Sequence, residues 1–452
     1  MKKKVNLHKR GNSYQSGHPL RQPEIFSRYS PLPTIDALCV SISETPALII
    51  GDKTNVQTPP NLAPPQVIYL NIRLRNFTLA LVLLTLLSGG AAQATDYTIN
   101  TWGDLPSYIF DNDLLYFVNT SPLTFGSEIR NGGFADKDGI NLTGNDPDRN
   151  KLTKNGTFSF LSFGNGFVNG GISNLSFDGT GTGAVSTDGG ALWVQSYFSG
   201  SINNCSFTGN AADYSGGALY VQNNFTGSIN DSEFNGNRAN SGGAVEANDF
   251  IGDITDSQFR NNTAMSGGAV RVDDFIGNIR GSTFDGNSAH HGGAVGASYF
   301  FGAGGTGSYS DMSGTEFLNN EAASEGGALY IARDTYISAK DGNLTFRGNK
   351  KNSATTNDPN AIYVDNDGGN NIFALGAGEG KTIFFYDPIE SNDYYKNLTI
   401  KINDNTVLDT NGDPLFTGTV LFDATDNPNV SDVYGSTTVY GGTLKLANGA
   451  VY

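Results

Sequence analysis

The sequence has 452 residues, of which only 16% are charged, whereas 58 are glycine, 28 phenylalanine and 20 tyrosine. This composition favours strands and turns and argues against a helix-rich fold. The net charge of −16 is uneven: residues 1–94 contain ten Lys and Arg against four Asp and Glu, and the remainder contains 18 against 40. So acidic a body argues against nucleic acid as a partner.

Residues 73–94 contain the three parts of a secretory signal peptide. A basic start is followed by an apolar run over 77–87 and by Ala-Gln-Ala, a small-x-small cleavage pattern that ends at Ala94. We therefore expect cleavage between Ala94 and Thr95 and export of the remaining chain. Residues 1–72 are predicted to be a disordered leader or the product of a misassigned start.

Three short patterns recur in a fixed order along the exported part. Gly-Gly-Ala-[Leu/Val] and Phe-x-x-Asn each occur six times, and Phe-x-Gly-x-Ile occurs four times. The glycine pairs are Gly189-Gly190, Gly216-Gly217, Gly242-Gly243, Gly267-Gly268, Gly292-Gly293 and Gly326-Gly327. The Phe and Asn pairs are Phe207 and Asn210, Phe234 and Asn237, Phe259 and Asn262, Phe284 and Asn287, Phe317 and Asn320, and Phe346 and Asn349.

Each pattern alternates apolar and polar residues, which predicts short strands with one buried face. Leu219 and Val221 are expected to point inward, and Tyr220 and Gln222 outward. Three such strands per about 25 residues predict one coil of a solenoid, stacked on the next by parallel pairing. Because parallel crossovers are strongly right-handed, we predict an all-β, right-handed parallel β-helix of about 14 coils.

The repeats also predict ladders of identical side chains along the coils. Each Phe of Phe-x-x-Asn should stack on the next, and each Asn should lie at a turn, adopt left-handed backbone and bond its neighbours. The glycine pair should form a corner that side chains would block. Cys205 replaces Ser232 and should be a small buried residue in a stack; Cys39 precedes the cleavage site, so no internal disulfide is expected.

Alternating copies of Gly-Gly-Ala and Phe-x-x-Asn resemble the passenger region of chlamydial-type polymorphic outer-membrane proteins, which are autotransporters. Residues 95–170 are then the N-terminal cap and first coils, 171–366 the repeat β-helix, and 367–452 C-terminal coils of passenger type. The resemblance implies an exported β-helix at the outer membrane or cell surface, or outside the cell, with adhesive or antigenic roles. Full members continue into a membrane β-barrel, so we expect a passenger truncated before that barrel; a nonfunctional remnant is an alternative.

One outward position after each Gly-Gly-Ala varies from coil to coil. Its occupants define a candidate binding face: Trp193, Tyr220, Glu246, Arg271 and Tyr330, interrupted by Gly296, together with Tyr363 from a degenerate coil that reads Ala-Ile-Tyr-Val. The next outward residues are Gln195, Gln222, Asn248, Asp273 and Ser298. Aromatic side chains beside amides suit contact with a protein or glycan of a host or neighbouring cell. The alternative is ordinary strand propensity on an outer surface.

Parallel β-helices also carry polysaccharide lyases and hydrolases, so an enzyme is the main alternative function. The best local cluster is Arg271 with Asp273 and Asp274, beside Glu246 and Asn248, although a solvated ion pair explains it equally well. No cofactor, metal or catalytic residue is predicted.

Two further motifs resemble metal sites only weakly. Asp409, Asn411 and Asp413 have the spacing of a calcium loop, but Pro414 stands where such a loop needs glycine. His290 and His291 lack partners at metal-ligand spacing and are expected in a turn.

Overall fold

The chain divides into two units, Met1–Val82 and Leu83–Tyr452, and every described residue belongs to the second. The computed structural model describes residues 96–99, 101, 114–117, 122–125, 127, 129–130, 137–138, 140–146, 150–164, 166–185, 187–353, 356–366, 371–392, 397–426 and 430–452. The predicted leader, the signal peptide and the junction of Ala94 and Thr95 lie outside these residues.

All regular elements of the described residues are β-strands, and three long sheets run along the solenoid. The first sheet has eight strands: Asp96–Ile99, Leu114–Phe117, Asn141–Gly144, Gly171–Ser173, Ser201–Asn203, Ser228–Asn230, Ile254–Thr255 and Ile279–Arg280. The second has twelve: Leu123–Phe125, Lys151–Lys154, Ser176–Asp178, Ser206–Thr208, Glu233–Asn235, Gln258–Arg260, Thr283–Asp285, Glu316–Leu318, Leu344–Arg347, Thr382–Phe385, Thr419–Asp423 and Thr443–Ala447.

The third sheet contains 17 strands in two adjacent columns. The first column follows the Gly-Gly corners: Ile129–Arg130, Leu161–Phe163, Leu192–Val194, Leu219–Phe225, Val245–Ile251, Val270–Arg271, Val295–Ala297, Leu329–Ile331, Ile362–Val364 and Ile389–Ser391. The second comprises Asp274–Ile276, Tyr299–Phe301, Ser310–Asp311, Thr335–Ala339, Ile372–Ala377, Leu398–Ile402 and Gly435–Val439. The long strand Val245–Ile251 pairs with strands of both columns and joins them.

Two small sheets complete the described strands. One contains Ser288–His291, Glu321–Glu325, Lys350–Ser353 and Thr356–Pro359; the other pairs Lys137–Asp138 with Phe167–Val168. In the first of these sheets, the strand Ser288–His291 contains His290 and His291. The turn predicted for these two residues is therefore wrong, because the chain is extended there and pairs with Glu321–Glu325.

The predicted β-solenoid with three strand segments per coil is confirmed, but the predicted number of coils is wrong. The twelve-stranded sheet makes eleven turns from Leu123–Phe125 to Thr443–Ala447, not about 14. The difference arises from insertions between strands. Phe234 pairs with Phe259, 25 residues later, as expected, whereas Phe346 pairs with Phe385, 39 residues later.

The predicted aromatic ladder is confirmed and forms one side of the core. Rings at Phe177, Phe207, Phe234, Phe259, Phe284, Phe317, Phe346, Phe385 and Phe422 stack with centroids 4.8–5.0 Å apart. This spacing follows from the distance between paired strands. A second ladder, which the sequence did not predict, contains the Phe of all four Phe-x-Gly-x-Ile copies, Phe198, Phe225, Phe250 and Phe275, and is extended by Phe167 and Phe300, with centroids 4.6–5.3 Å apart.

The Asn ladder is also present, but its backbone differs from the prediction. Each Asn is buried, and each except Asn349 bonds the Asn of the next coil; Asn237 Nδ2 donates to Asn262 Oδ1 at 3.0 Å. The left-handed residue is the one before the ladder Asn, with φ of 65° at Gly236 and 54° at Asn261. The turn therefore needs Gly or Asn at that position, and the ladder Asn is kept for its amide.

The glycine pairs form the predicted corner, with a different role for each glycine. The first has positive φ, as at Gly242 (55°). The second packs against the next coil, where a Cβ on Gly243 would lie 2.0 Å from the carbonyl oxygen of Gly268. Coils can stack at this corner only because no side chain separates them.

Cys205 lies in the buried stack that the sequence predicted. Its backbone N–H donates to Ser232 Oγ at 3.1 Å, and the Ser232 N–H donates to Ser257 Oγ at the same distance. Burial raises the pKa of the thiol to about 12, which keeps it protonated and unreactive.

Candidate binding face

The six predicted binding residues form one column on the outer surface of the third sheet. In Leu192–Val194 the first and third residues are buried, so Trp193 between them points outward, and the same alternation recurs in later coils. Parallel register joins these outward residues into the candidate binding face: Trp193, Tyr220, Glu246, Arg271, Gly296, Tyr330 and Tyr363. Glu390 extends the column; sequence reasoning missed it because no Gly-Gly-Ala precedes it.

Glu246 is the most constrained residue in the first half of this face. Loss of solvent around its carboxyl group raises its pKa, against the opposing effect of hydrogen bonds with Ser241 and Ser215. Its Oε2 is buried and has no hydrogen-bond partner among the described residues. Burial also raises the pKa of Tyr220, with the charges of Asp188 and Glu246 adding to the effect. This half of the face therefore presents two aromatic rings in the coils that precede a partly buried carboxylate.

Gly296 divides the face into two halves. The side chain of Arg271 covers part of the space above it, since a Cβ at Gly296 would lie 3.4 Å from Arg271 Cδ. Arg271 Nη2 lies 3.0 Å from Asp273 Oδ1 in an ion pair, and Nη1 donates to the carbonyl oxygen of Val272. The guanidinium group is thus held along its own strand.

Tyr330 organises the second half of the face. Its hydroxyl donates to Asp365 Oδ2 at 2.7 Å, and its ring stacks on Tyr363 with centroids 5.9 Å apart. Burial, then the hydrogen bond to Asp365, raises the pKa of Tyr330. The His291 ring lies 5.3 Å from Tyr330, and its Nδ1 lies 2.9 Å from Glu325 Oε2, without the geometry of a hydrogen bond. Two tyrosines and an imidazole are therefore preorganised at this end.

The second predicted column is more exposed than the first. Gln195, Gln222, Asn248 and Asp273 are exposed, and Ser298 is half-buried. Next to it, burial raises the pKa of both Asp249 and Asp274, and the neighbouring carboxylates add to the effect. This edge of the face is acidic and favours contact with neutral or basic groups.

A third column, missed by sequence reasoning, lies at the corner just before each glycine pair. It comprises Tyr214, Asn240, Met265 and His290, all exposed, with Tyr214 and Met265 each 60% exposed. Backbone hydrogen bonds join the corners of neighbouring coils; the Met265 N–H donates to the Asn240 carbonyl at 2.8 Å. The sequence could have indicated this column, because the residue two positions before each of these Gly-Gly pairs varies from coil to coil.

Two of the groups considered for chemistry make local contacts in the structure. Arg271 pairs with Asp273, as the solvated-ion-pair interpretation requires. In the Asp409 loop, backbone N–H groups of Asn411 and Asp413 donate to Asp409 Oδ1 at 2.8 and 3.0 Å, and these bonds lower the pKa of the carboxyl. Across the described ranges, no group of three or more His, Cys, Asp or Glu could hold a metal ion.

Known proteins share the repeat that builds this face. The profile of the Chlamydia polymorphic membrane protein repeat matches residues 204–222 and 314–332, each of which contains one Phe-x-x-Asn and one Gly-Gly-Ala. The probable outer membrane protein pmp8 of Chlamydia pneumoniae is 36% identical over 139 residues, 29% of this chain and 14% of the relative. The chain therefore contains the repeat of the chlamydial polymorphic membrane proteins in two matched segments and is similar to members of that family.

Two further relatives are similar to the chain over limited lengths. The probable outer membrane protein pmp13 of Chlamydia pneumoniae is 31% identical over 157 residues, 32% of this chain and 15% of the relative. The probable outer membrane protein pmp6 of the same organism is 45% identical over 67 residues, which are 14% of this chain and 5% of the relative. The chain therefore spans a small fraction of these relatives. No solved structure matches it, and the described residues form no helix able to cross a membrane.

Proposed function

We propose that this protein is a non-enzymatic, surface-displayed β-solenoid passenger that binds a protein or glycan on a host or neighbouring cell through the candidate binding face. The relatives' names as outer membrane proteins support exposure at the outer membrane or cell surface. An acidic exported body fits a role outside the cell and disfavours nucleic acid.

One observation carries this proposal: varied side chains stand in register on a scaffold whose inward residues repeat. Inside, Phe, Asn and Gly recur coil after coil; outside, the column changes from Trp193 and Tyr220 to Glu246 and Arg271. Partly buried aromatic side chains with a polar edge are the residues that anchor protein interfaces. The column offers such anchors at a fixed spacing on a rigid surface, so little conformational entropy is lost on binding.

The test is attachment of beads coated with the full chain to cultured epithelial cells. A Trp193→Ala, Tyr220→Ala double variant should weaken attachment at least about tenfold, because buried aromatic anchors dominate binding. Tyr116→Ala is the matched control, since Tyr116 is an exposed aromatic residue on the eight-stranded sheet. Unchanged attachment of the double variant, with an unchanged circular dichroism spectrum, would exclude this face.

The non-enzymatic part of the proposal needs its own experiment. The full chain should release no reducing ends from polygalacturonate, alginate or hyaluronate. If it does, and Asp273→Asn or Arg271→Ala abolishes the release, the enzyme alternative replaces the adhesive one.

A further inference from the structure

A second surface feature lies on another sheet and does not depend on the proposed function. On the outer face of the twelve-stranded sheet, the strands Glu316–Leu318 and Leu344–Arg347 and the segment after Thr419–Asp423 enclose an open cleft of about 550 Å³. Its volume falls in the range of small-molecule sites. Its main lining residues are Glu316, Leu318, Asn319, Thr345, Arg347 and Asp426.

Arg347 is fixed in one orientation at the rim of this cleft. Its Nε lies 2.7 Å from Asp426 Oδ2, its Nη2 donates to Asp426 Oδ1 at 3.1 Å, and its guanidinium group lies 4.9 Å from the centre of the Tyr386 ring. This leaves Nη1 with no partner among the described residues. The contacts with Asp426 therefore orient the planar guanidinium group, and both N–H donors of Nη1 remain available to a ligand.

The charges of the cleft determine which ligand it can accept. Asp426 compensates Arg347, and exposed Glu316 leaves a local excess of one negative charge in a body that is acidic throughout. An anionic ligand would meet that excess, whereas a neutral ligand would not. The free N–H groups of Arg347 need hydrogen-bond acceptors, which a simple cation does not offer.

The remaining lining residues combine apolar surface with hydrogen-bonding groups. Leu318 is half-buried and contributes an aliphatic side chain, and Thr345 and Asn319, which also line the cleft, carry a hydroxyl and an amide. Asn319 Nδ2 donates to Asp285 Oδ1 at 3.0 Å, which orients its amide. A ligand with an apolar face and a rim of hydroxyl groups would satisfy all three.

We infer that this cleft binds a neutral saccharide, with Arg347 Nη1 donating to sugar hydroxyl groups while Leu318 contacts the apolar face of the ring. The carboxylate of Glu316 accepts from further hydroxyls. The openness of the cleft suits one end or a short stretch of a glycan chain. Binding here is distinct from contact through the candidate binding face.

The test is calorimetric titration of the full chain with maltotriose, cellotriose and triacetylchitotriose, and with trigalacturonate as the acidic counterpart. At least one neutral trisaccharide should bind, and Arg347→Ala should weaken it at least about tenfold. Arg260→Ala is the matched control, because Arg260 occupies the same outward column three coils earlier, in register through Asp285 and Leu318. It should leave the affinity within about twofold.

A charge-changing variant separates the neutral saccharide from an anionic ligand. Asp426→Asn removes the charge that compensates Arg347, so it should weaken the neutral trisaccharide and strengthen trigalacturonate. The inference is overturned if no neutral trisaccharide binds, if trigalacturonate binds the unaltered chain more tightly than they do, or if Arg347→Ala and Arg260→Ala have equal effects. None of these results bears on attachment through Trp193 and Tyr220, so the two proposals fail independently.

Discussion

Replacing Asn262 by alanine tests whether the Asn ladder holds neighbouring coils together. Asn262 is fully buried, and its side chain makes four hydrogen bonds. Its Nδ2 donates to the carbonyl oxygen of Phe234 at 2.9 Å and to Asn287 Oδ1 at 3.0 Å. Its Oδ1 accepts from the backbone N and from Nδ2 of Asn237, both at 3.0 Å. The side chain thus links three successive coils.

The magnitude follows from these four bonds. Each contributes about 1 kcal/mol net, and the Asn262→Ala variant also leaves the Asn237 backbone N–H buried without an acceptor. We expect a loss of about 3–5 kcal/mol in the free energy of unfolding of the coils around Asn262. Asn262→Asp should lose at least as much at neutral pH, since a buried carboxylate would face Asn287 Oδ1.

The assay must resolve single coils, because a solenoid can open locally before it unfolds as a whole. Hydrogen exchange of the Asn237 amide reports the broken bond directly, and urea unfolding reports the total. Asn240→Ala is the control, because Asn240 is an exposed Asn on the corner of a neighbouring coil. If Asn262→Ala costs no more than about 1 kcal/mol, or no more than Asn240→Ala, the ladder is not a source of stability.

Three further predictions concern other parts of the scaffold. Asp387 ends the Asn ladder by accepting from Asn349, and burial raises its pKa to about 6. The stability that this group contributes is therefore complete below its unfolded pKa and is lost as the pH rises through about 6. The thermal midpoint, measured relative to Asp387→Asn, should rise when the pH is lowered from 7 to 5, and a constant difference would refute this. Gly243→Ala should lower the free energy of unfolding, measured by urea denaturation, by at least about 3 kcal/mol, because its Cβ would meet the Gly268 carbonyl. Gly236→Ala, where the space is open but φ is positive, should lower it by about 1 kcal/mol, and equal losses would refute the role of close packing. Cys205 should resist iodoacetamide in the folded chain and react after denaturation, as mass spectrometry can show; labelling without denaturant would contradict its burial.

Much of the fold was predictable because a solenoid repeats its inward residues. Equal spacing of Phe234, Phe259 and Phe284 fixes the register of one ladder, and alternation assigns its buried face. The second ladder was missed because Phe250 and Ile254 were read as one strand. In the structure Phe250 lies in the third sheet and Ile254 in the first, so the chain turns at Gly252 between them. The extra residues between Phe346 and Phe385 lie in insertions that do not follow the repeat pattern, so their positions could not be predicted from it.

The candidate binding face was predictable to the same extent, because its register also follows from the repeat. Where Gly-Gly-Ala, or the Ala361 that remains of it, fixes the register, the outward residue follows, as for Tyr220 and Tyr363; before Glu390 no part of the motif remains. Contacts between side chains of different coils could not be predicted. The bond of Tyr330 to Asp365 joins residues 35 positions apart, and the local sequence carries no sign of it.

In the proposed function, outward residues recognise a partner and inward residues stabilise the fold, but this separation is incomplete. Inward residues carry the ladders, so an exposed outward residue such as Gln222 can be replaced at little cost to the fold. Glu246 and Tyr330 differ, because each is partly buried and tied to its surroundings. Since Gly296 interrupts the column between them, a ligand meets two preorganised patches rather than one uniform face. A partner that spans both must bridge the gap at Gly296, and its affinity should then fall when either patch is altered.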